Sequence, residues 1–281
     1  ALSRDLHGGV VVARTRAQPG GALVNIRQRL GLHGYGILAA QLVSLVVLLL
    51  VWEWTSRAKL IDPLFIGQPT KIFAYLYQAI FTDHKLLQEA GWTLWSTAAA
   101  FALGSVTGVA FGLLFVLYPP AEKFLDPLFS ALNALPRIAL APLFLLWFGL
   151  GAASKIALGF SLTFFIVLTS TVAGARSVDS DWITLSRMLG ASRATVFFKV
   201  TLISAVPTIF SGLRLGLIYA LLGVIGGEII ASQHGLGQLL GYLAGTFDTN
   251  GVFGVLFFLA VLGVGLTKLM SAVENHLLRW K

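Results

Sequence analysis

The sequence predicts an all-α protein that crosses a membrane several times. Of its 281 residues, 57% are hydrophobic and only 11% are charged, and the mean hydropathy is +0.83. A soluble domain carries about 25% charged residues, so this composition excludes a soluble monomer. The apolar residues are also gathered into long runs, as expected of helices that cross about 30 Å of hydrocarbon. The spacing of the runs favours one polytopic domain over two small domains.

Six apolar runs reach the length of about 20 residues that a membrane-spanning helix needs; the third contains Arg137, and the fifth contains Arg214 and Glu228. They extend over residues 35–52, 90–119, 127–151, 156–175, 205–231 and 249–267. In the second run a glycine recurs at every fourth position (Gly104, Gly108 and Gly112), which leaves one face bare for close contact with another helix. The third run is the weakest, because Pro136 and Pro142 both interrupt its ladder of backbone hydrogen bonds.

The distribution of basic residues predicts that both termini lie in the cytoplasm. With the N-terminus inside, the inner segments hold most of the Lys and Arg residues, as the positive-inside rule requires. Residues 1–34 contain no apolar core of signal-peptide length, so they are interpreted as a basic cytoplasmic arm. The transmembrane domain then covers residues 35–275, and residues 276–281 form a short cytoplasmic tail. The inner segments also explain the net charge of +8 without a nucleic-acid partner.

The outer segment between the first two runs, residues 56–89, predicts a short helix on the membrane surface. Two prolines break its beginning, and apolar residues then recur at helical spacing. These apolar residues are Ile72, Tyr75, Leu76 and Ala79. The interpretation as a packed lid is favoured over a binding role.

Signatures of catalysis are absent from the sequence. It contains neither the phosphate-binding loop of many ATP-binding proteins nor the H-E-x-x-H zinc motif, and no serine lies in a G-x-S-x-G motif. Cysteine is also absent, which excludes disulfides and thiol chemistry. No enzymatic activity, cofactor or metal is therefore assigned to this chain.

The inner segment of residues 176–203 carries the most informative pattern. Asp179 or Ser180 can cap a helix that begins at about Asp181, and Gly190 ends this helix because glycine adopts the left-handed conformation without strain. One face of the helix is apolar and consists of Trp182, Leu185, Met188 and Leu189. This face packs on the protein's own helices or on lipid headgroups, or it enters a groove of a partner protein. A short rigid helix with an aromatic anchor favours the groove.

Two longer segments resemble one family of transport proteins. They are residues 131–156, ALNALPRIALAPLFLLWFGLGAASKI, and residues 200–240, VTLISAVPTIFSGLRLGLIYALLGVIGGEIIASQHGLGQLL. Together with the preceding inner loop, they resemble the permease subunits of binding-protein-dependent ABC importers, in particular the nitrate, sulfonate and taurine branch. The similarity extends roughly from residue 40 to residue 275.

In that family the inner loop bears the EAA motif, which starts with Glu-Ala-Ala, continues with a Gly and ends with a hydrophobic residue and Pro. At the Glu-Ala-Ala positions this sequence has Thr184, Leu185 and Ser186, whereas Gly190 and Pro207 match the motif. The missing Glu affects a salt bridge that it would make with the partner. The helix–turn–helix geometry of the loop does not depend on it.

The resemblance implies the type I ABC importer fold and a division of labour between subunits. Two copies of the permease form a homodimer, two ATP-binding subunits hold ATP and Mg²⁺ and dock below them, and a periplasmic binding protein delivers the solute. The permease lies in the bacterial inner membrane and moves a small, anionic solute such as nitrate, a sulfonate, taurine or a related organic acid. The residues that would couple it to the ATP-binding subunits are Trp182, Leu185, Met188, Leu189 and Gly190.

Three polar residues in the predicted spans are candidates for the translocation pathway, namely Asn133, Arg214 and Glu228. A charge in hydrocarbon costs about 2.5–3.5 kcal/mol on insertion scales, so it needs a partner or a water-filled cavity. Arg214 would lend positive potential to the inner part of the route, and Glu228 would line or brace its outer mouth. The structural alternative is pairing with Asn133, with backbone carbonyls or with a neighbouring helix.

The fifth run also has faces of small residues, formed by Gly212, Gly216, Gly223 and Gly227. Such faces allow helices to approach closely. Close packing against another helix is their default explanation, and they would also let two copies of this helix approach across the axis of a dimer.

Two other functions are kept open. An ion-coupled secondary transporter would need carboxylates in mid-membrane and inverted repeats, whereas Glu228 is the single good carboxylate candidate and the halves of the sequence show no repeat. A membrane scaffold that anchors a cytoplasmic partner would also use the inner loop, but it does not need buried charges or a span broken by proline. Copurification with an ATP-binding subunit, and hydrolysis stimulated by substrate, would distinguish the importer from both.

Overall fold

The computed structural model describes residues 34–278, and this part of the chain consists of helices joined by turns. The helices are α1 (Gly34–Arg57), α2 (Pro63–Ile66), α3 (Pro69–Tyr77), α4 (Lys85–Leu117), α5 (Pro119–Ala134), α6 (Ala141–Phe148), α7 (Ala152–Arg176), α8 (Ser180–Met188), α9 (Arg193–Val196), α10 (Leu202–Ile230), α11 (Leu236–Gly245) and α12 (Thr249–Leu277). A 3₁₀ turn (Arg137–Leu140) precedes α6, and π-helical turns (Gln78–Thr82 and Phe197–Thr201) follow α3 and α9.

The described residues separate into two units after Trp52, and the packing described below is that of the second unit, which begins at Glu53. The predicted basic arm lies outside the described residues except for Gly34. The predicted tail also lies outside them from residue 279 onward.

Within residues 34–278, five helices are long and apolar enough to cross a membrane, and a bent pair of helices raises the number to six. The five are Ala39–Arg57, Lys85–Leu117, Ala152–Arg176, Arg193–Ile230 and Thr249–Leu277. Each coincides with one predicted run, so the multi-pass architecture is confirmed. The helices extend beyond the apolar runs because polar residues at their ends can reach the interfaces while the backbone hydrogen bonds continue.

The third predicted run is a bent pair of helices instead of one straight span. α5 ends at Ala134, the next helical segment begins at Arg137, and the two are bent by 86°. The break lies at Pro136, because proline lacks the N–H of a continuous helix and keeps the preceding Leu135 extended, with φ −67° and ψ 136°. The expectation that Pro142 also interrupts the run is wrong. It lies in the first turn of α6, where the N–H has no intrahelical partner to lose.

The core of the second unit is formed by α7, which packs along both α4 and α10. The glycines of α4 face α7. A Cβ added at Gly104 or Gly112 would lie only 2.7 Å from the Cβ of Thr163 or Thr171, and a Cβ at Gly108 would lie 2.8 Å from a backbone carbonyl oxygen of α7. The predicted bare face of the second run is therefore confirmed, and it sets the close spacing of α4 and α7.

The glycines of α10 face α7 of the same chain. A Cβ added at Gly212 would lie 2.3 Å from the Cβ of Ser170, and a Cβ at Gly223 would lie 2.8 Å from the Cα of Gly159. Gly216 is buried in the same contact. The expectation that this face joins two copies across a dimer axis is wrong, because α7 already occupies it.

At the end of the bundle opposite α8, the short helices α3 and α11 pack against the long helices. A helix at the predicted place is present as α3, whose Ile72 is buried and which packs on the beginning of α12. Gln68, which precedes α3, donates its backbone N–H to Asn250 Oδ1 of α12 at 2.8 Å. Ala79 joins an apolar cluster with Leu86 of α4 and with residues of α11 and α12. The segment is thus packed onto the bundle.

Candidate functional site

The inner loop between α7 and α10 folds as its sequence predicts. Asp179 caps α8 by accepting a hydrogen bond from the backbone N–H of Asp181 at 2.9 Å. Gly190 follows the helix in the left-handed conformation, with φ +84°. Ser192 then caps α9 by accepting a hydrogen bond from the backbone N–H of Thr195 at 3.2 Å. The predicted helix and its end are confirmed, and Ser192 caps the short helix that follows.

The apolar stripe of α8 points away from the rest of the described chain. Its members Trp182, Leu185, Met188 and Leu189 are 62%, 48%, 79% and 80% exposed. The helix has no buried residue at all. The alternative that this face packs on the protein's own helices is therefore not realised within residues 34–278, and lipid headgroups or a partner protein are left to cover it.

The three predicted pathway residues lie in different surroundings. Asn133, near the end of α5, is exposed and accepts a hydrogen bond from Arg137. Arg214 of α10 forms an ion pair with Glu274 of α12, so it is paired with a neighbouring helix, which is one of the structural alternatives. Glu228 is 3% exposed and belongs to a separate polar cluster. The structure does not bring the three together.

Glu228 is the centre of a polar cluster that ties α11 to α4 and α10. Its carboxylate accepts hydrogen bonds from Thr93 Oγ1 and from the backbone N–H of Gly237, both at 2.9 Å. Thr93 Oγ1 in turn accepts a hydrogen bond from the backbone N–H of Leu236 at 2.8 Å. Glu89 accepts the backbone N–H of Gly235 at 2.5 Å. The first backbone N–H groups of α11, which have no partner inside the helix, are therefore satisfied by side chains of α4 and α10.

The sequence does not predict the burial of a lysine next to this cluster. Lys155 of α7 is only 2% exposed, and its ammonium donates to the Leu150 carbonyl oxygen at 2.5 Å. In the sequence Lys155 immediately precedes the fourth run, a position that indicates a charge at the membrane interface. The signal that could indicate its burial is Gly227, where a Cβ would lie 3.3 Å from Lys155 Cγ. That relation exists only once α7 and α10 are packed together.

Two cavities lie at opposite ends of the bundle. The first, of 330 Å³, is lined by Trp92, Lys155, Glu228 and His234, together with Ser96 and Gln233. The second, of 300 Å³, lies between α5 and α7, and Glu122, Asp126, Ser130 and Asn133 line it from one face of α5. Arg176 also lines the second cavity and forms a 2.5 Å ion pair with Glu122. Neither these residues nor any others within residues 34–278 form a group of three His, Asp or Glu side chains that could hold a metal ion.

Comparison with known proteins places this arrangement in one family. Residues 104–279 match the family described as "Binding-protein-dependent transport system inner membrane component". The chain belongs to this family. The match includes α7, the loop with α8, and α10. The predicted recognition as an ABC importer permease is thereby confirmed, and the protein is a transport subunit that crosses the inner membrane several times.

Curated relatives agree with this assignment. The permease is 32% identical over 241 residues to the taurine transport system permease protein TauC of Escherichia coli, which covers 84% of this chain and 88% of that protein. It is 30% identical over 239 residues to the formylaminopyrimidine transport permease protein ThiX of Halalkalibacterium halodurans, covering 84% of this chain and 93% of that protein. The names of the two relatives refer to chemically different solutes, so the family membership leaves the solute open.

Solved structures show the same fold. The permease is similar to a chain of an amino acid ABC transporter, with a TM-score of 0.61, 17% identity, and coverage of 72% of this chain and 98% of that chain. It is also similar to a chain of the inward-facing MetNI methionine ABC transporter, with a TM-score of 0.54, 22% identity, and coverage of 67% and 92%. The predicted all-α importer fold is therefore confirmed.

Proposed function

We propose that the permease imports a small solute by coupling movements of its transmembrane helices to ATP hydrolysis on separate subunits. Two copies of the chain, two ATP-binding subunits and a periplasmic solute-binding protein would form the complex. Both termini would lie in the cytoplasm, with ATP and Mg²⁺ held by the ATP-binding subunits. The single observation that carries this proposal is α8, a capped helix that exposes its apolar stripe between two long spans.

The connections of α8 suit the transmission of force. The turn after α8 is held by backbone hydrogen bonds, from Gly190 N–H to the Arg187 oxygen and from Ala191 N–H to the Ser186 oxygen, both at 3.0 Å. The Ser192 cap then leads directly into the continuous segment Arg193–Ile230. Because α10 packs along α7 through glycine contacts, a displacement of α8 would move these helices as a rigid group.

The solute route is proposed to use these two cavities, each of which has some polar side chains in its lining. Glu228 lines the first cavity and Asn133 lines the second, which keeps both residues as candidates for the pathway. Arg214 has a different role in this proposal. Its ion pair with Glu274 neutralises the charge, so Arg214 braces α10 against α12 and adds little positive potential to the route.

The solute is proposed to be a small organic molecule with an anionic group, in the class of nitrate, sulfonates, taurine and related organic acids. Support comes from the relative named for taurine transport and from a second one named for aliphatic sulfonates, which is 28% identical. The buried Lys155 supplies a cation at the cavity opposite α8 that an anionic group could meet.

The coupling role of α8 can be tested with the purified complex. Replacement of both Trp182 and Leu185 by Asp places two carboxylates on the exposed stripe, and we expect the ATP-binding subunits to dissociate and uptake into proteoliposomes to fall at least about tenfold. Because the stripe is not part of the core, folding and membrane insertion should be unchanged. The control is Arg187→Asp, which places a carboxylate on the opposite face of α8 and should retain both properties.

Each outcome of this experiment bears on the proposal. A double variant that copurifies with the ATP-binding subunits and transports normally would refute the coupling role. Uptake that follows an ion gradient without ATP would favour a secondary transporter. Copurification without hydrolysis stimulated by substrate would favour a membrane scaffold.

A further inference from the structure

Two buried side chains of opposite charge face the same cavity at the end of the bundle opposite α8. Lys155 is 2% exposed and Glu228 is 3% exposed, and both line the cavity of 330 Å³ between α4, α7 and α10. Charged side chains inside a membrane domain are costly unless they are paired or face a wet cavity, and they mark ligand or ion pathways. The pair therefore calls for a functional explanation.

Neither charged group has all of its hydrogen-bonding positions occupied by protein groups. The Lys155 ammonium has three donors and uses one on the Leu150 carbonyl oxygen. The Glu228 carboxylate has about four acceptor positions and receives the Thr93 hydroxyl and the Gly237 N–H. Both groups thus keep free capacity at the cavity that they line.

The two charges also do not meet each other. Of the ion pairs within the described part of the chain, none joins the Lys155 ammonium to the Glu228 carboxylate. Buried charged groups that do not contact each other each need another polar partner, which a bound ligand can supply. A single cation or anion would satisfy one of the two and leave the other unpaired. A molecule that carries both charges would satisfy both.

We propose that this cavity binds a small zwitterion, with its anionic group on Lys155 and its cationic group on Glu228. The volume of 330 Å³ lies near the lower end of the range of about 300–1,000 Å³ for small-molecule sites, which favours a compact ligand. One wall is formed by Trp92 and His234, whose rings are stacked at 5.2 Å and 16°. Ser96 and Gln233 add polar groups for orientation.

The inference rests on the proposed function, because it places a solute site at the end of the permease where a binding protein would release its cargo. It narrows the substrate class from anionic to zwitterionic. Gly227 contributes to the same site, because the absence of a side chain there leaves room for Lys155 to lie along α10.

The test measures the thermal unfolding of the full-length permease in lipid nanodiscs, without ATP-binding subunits or binding protein. The probes are taurine and β-alanine, which carry an ammonium group two carbons from a sulfonate or a carboxylate. Ethanesulfonate and ethylammonium, alone and mixed, carry the same charges on separate molecules. We expect millimolar zwitterion to raise the melting temperature by about 2 °C or more and the separate ions to leave it unchanged.

Variants connect the effect to the two charges. Lys155→Met keeps the length of the buried side chain without its charge, and Glu228→Gln keeps the shape of the carboxylate. Each should weaken zwitterion binding at least about tenfold, measured with radiolabelled taurine and β-alanine at equilibrium. The matched control is Lys85→Met. Lys85 is an exposed lysine at the same end of the bundle that lies over the Tyr242 ring, and its loss should leave binding unchanged.

The possible results separate cleanly. If both zwitterions fail to stabilise the permease, or if Lys155→Met binds them as the unchanged chain does, the proposal is overturned. Equal stabilisation by the mixed separate ions would also overturn it, because it would show two independent ion sites. The assay contains no ATP-binding subunit, so a failure of the coupling experiment with α8 does not affect it, and the reverse also holds.

Discussion

At the scale of single residues, Gly235 determines the geometry around Glu228. Its backbone has φ +114°, which L-residues with a side chain rarely adopt. A Cβ at this position would lie 2.2 Å from Glu228 Cδ, well inside van der Waals contact. Gly235 therefore allows the start of α11 to close over a buried carboxylate.

We predict that Gly235→Ala lowers the free energy of unfolding by about 2 kcal/mol or more, because it combines backbone strain with displacement of the Glu228 side chain. Gly226→Ala is the matched control, since no atom outside its own helical turn lies within 4 Å of the place that a Cβ would take there, and alanine favours a helix interior. Thermal unfolding of both variants in the same detergent is the measurement. Equal melting temperatures would contradict the assigned role of Gly235.

At the scale of helices, close contacts through glycine hold α4, α7 and α10 together, whereas a charge pair connects α10 to α12. Arg214 Nη2 donates to Glu274 Oε2, and the side chain of Glu274 is only 15% exposed. The Arg214 Nε is buried without a hydrogen-bond partner among the described residues. The contact between α10 and α12 at this point is therefore a single charged hydrogen bond.

We predict that Arg214→Gln and Glu274→Gln each lower the free energy of unfolding by about 1 kcal/mol, and that the double variant loses no more than either single variant. Arg214→Lys keeps the charge, and because Arg214 uses only Nη2 in the ion pair, the ammonium should retain part of the stability that Arg214→Gln loses. The exposed Lys268 of α12 provides the control Lys268→Gln, which should be neutral. If the losses of unfolding free energy add up in the double variant, and if anion uptake falls in Arg214→Gln but not in Glu274→Gln, Arg214 would be assigned to the solute route instead.

At the scale of the whole molecule, the two ends of the bundle differ in structure. α8 lies at one end, and α3 and α11 pack at the other, beside the cavity with Lys155 and Glu228. The distribution of Lys and Arg predicts that the end with α8 faces the cytoplasm. The chain has no cysteine, so single cysteines can report the side on which each end lies.

We predict that Lys71→Cys, in the exposed part of α3, reacts with a membrane-impermeant maleimide in intact spheroplasts. Arg187→Cys in α8 should react only after the membrane is permeabilised. Labelling of both variants after permeabilisation controls for accessibility. The reverse pattern would show that the charge distribution does not set the orientation of this chain.

The features that the sequence predicts well are local or periodic. The caps at Asp179 and Ser192 and the stop at Gly190 depend on side chains that bond within a few residues of themselves, so their structure follows from the residue types alone. The long apolar runs are equally informative, because in hydrocarbon the backbone must satisfy its own hydrogen bonds and a helix is the simple solution. The break at Pro136 belongs to the same class.

The features that the sequence leaves undecided depend on which helix faces which. Glycine faces predict close packing, but only the structure shows that α7 packs against the glycine face of α4 and against that of α10. The glycine face of α10 is therefore not free to contact a second copy of the chain. Likewise, Arg214 and Glu274 are 60 residues apart, and Lys155 and Glu228 come to one cavity from different helices. The sequence by itself determined the fold class, the family and the capped helix α8 with its apolar stripe, and only the structure shows that this stripe is exposed. The tertiary structure decided the partners of Arg214 and Glu228, because a charge is stabilised by whatever group lies next to it in space, and for these two residues that neighbour includes a side chain distant in the chain.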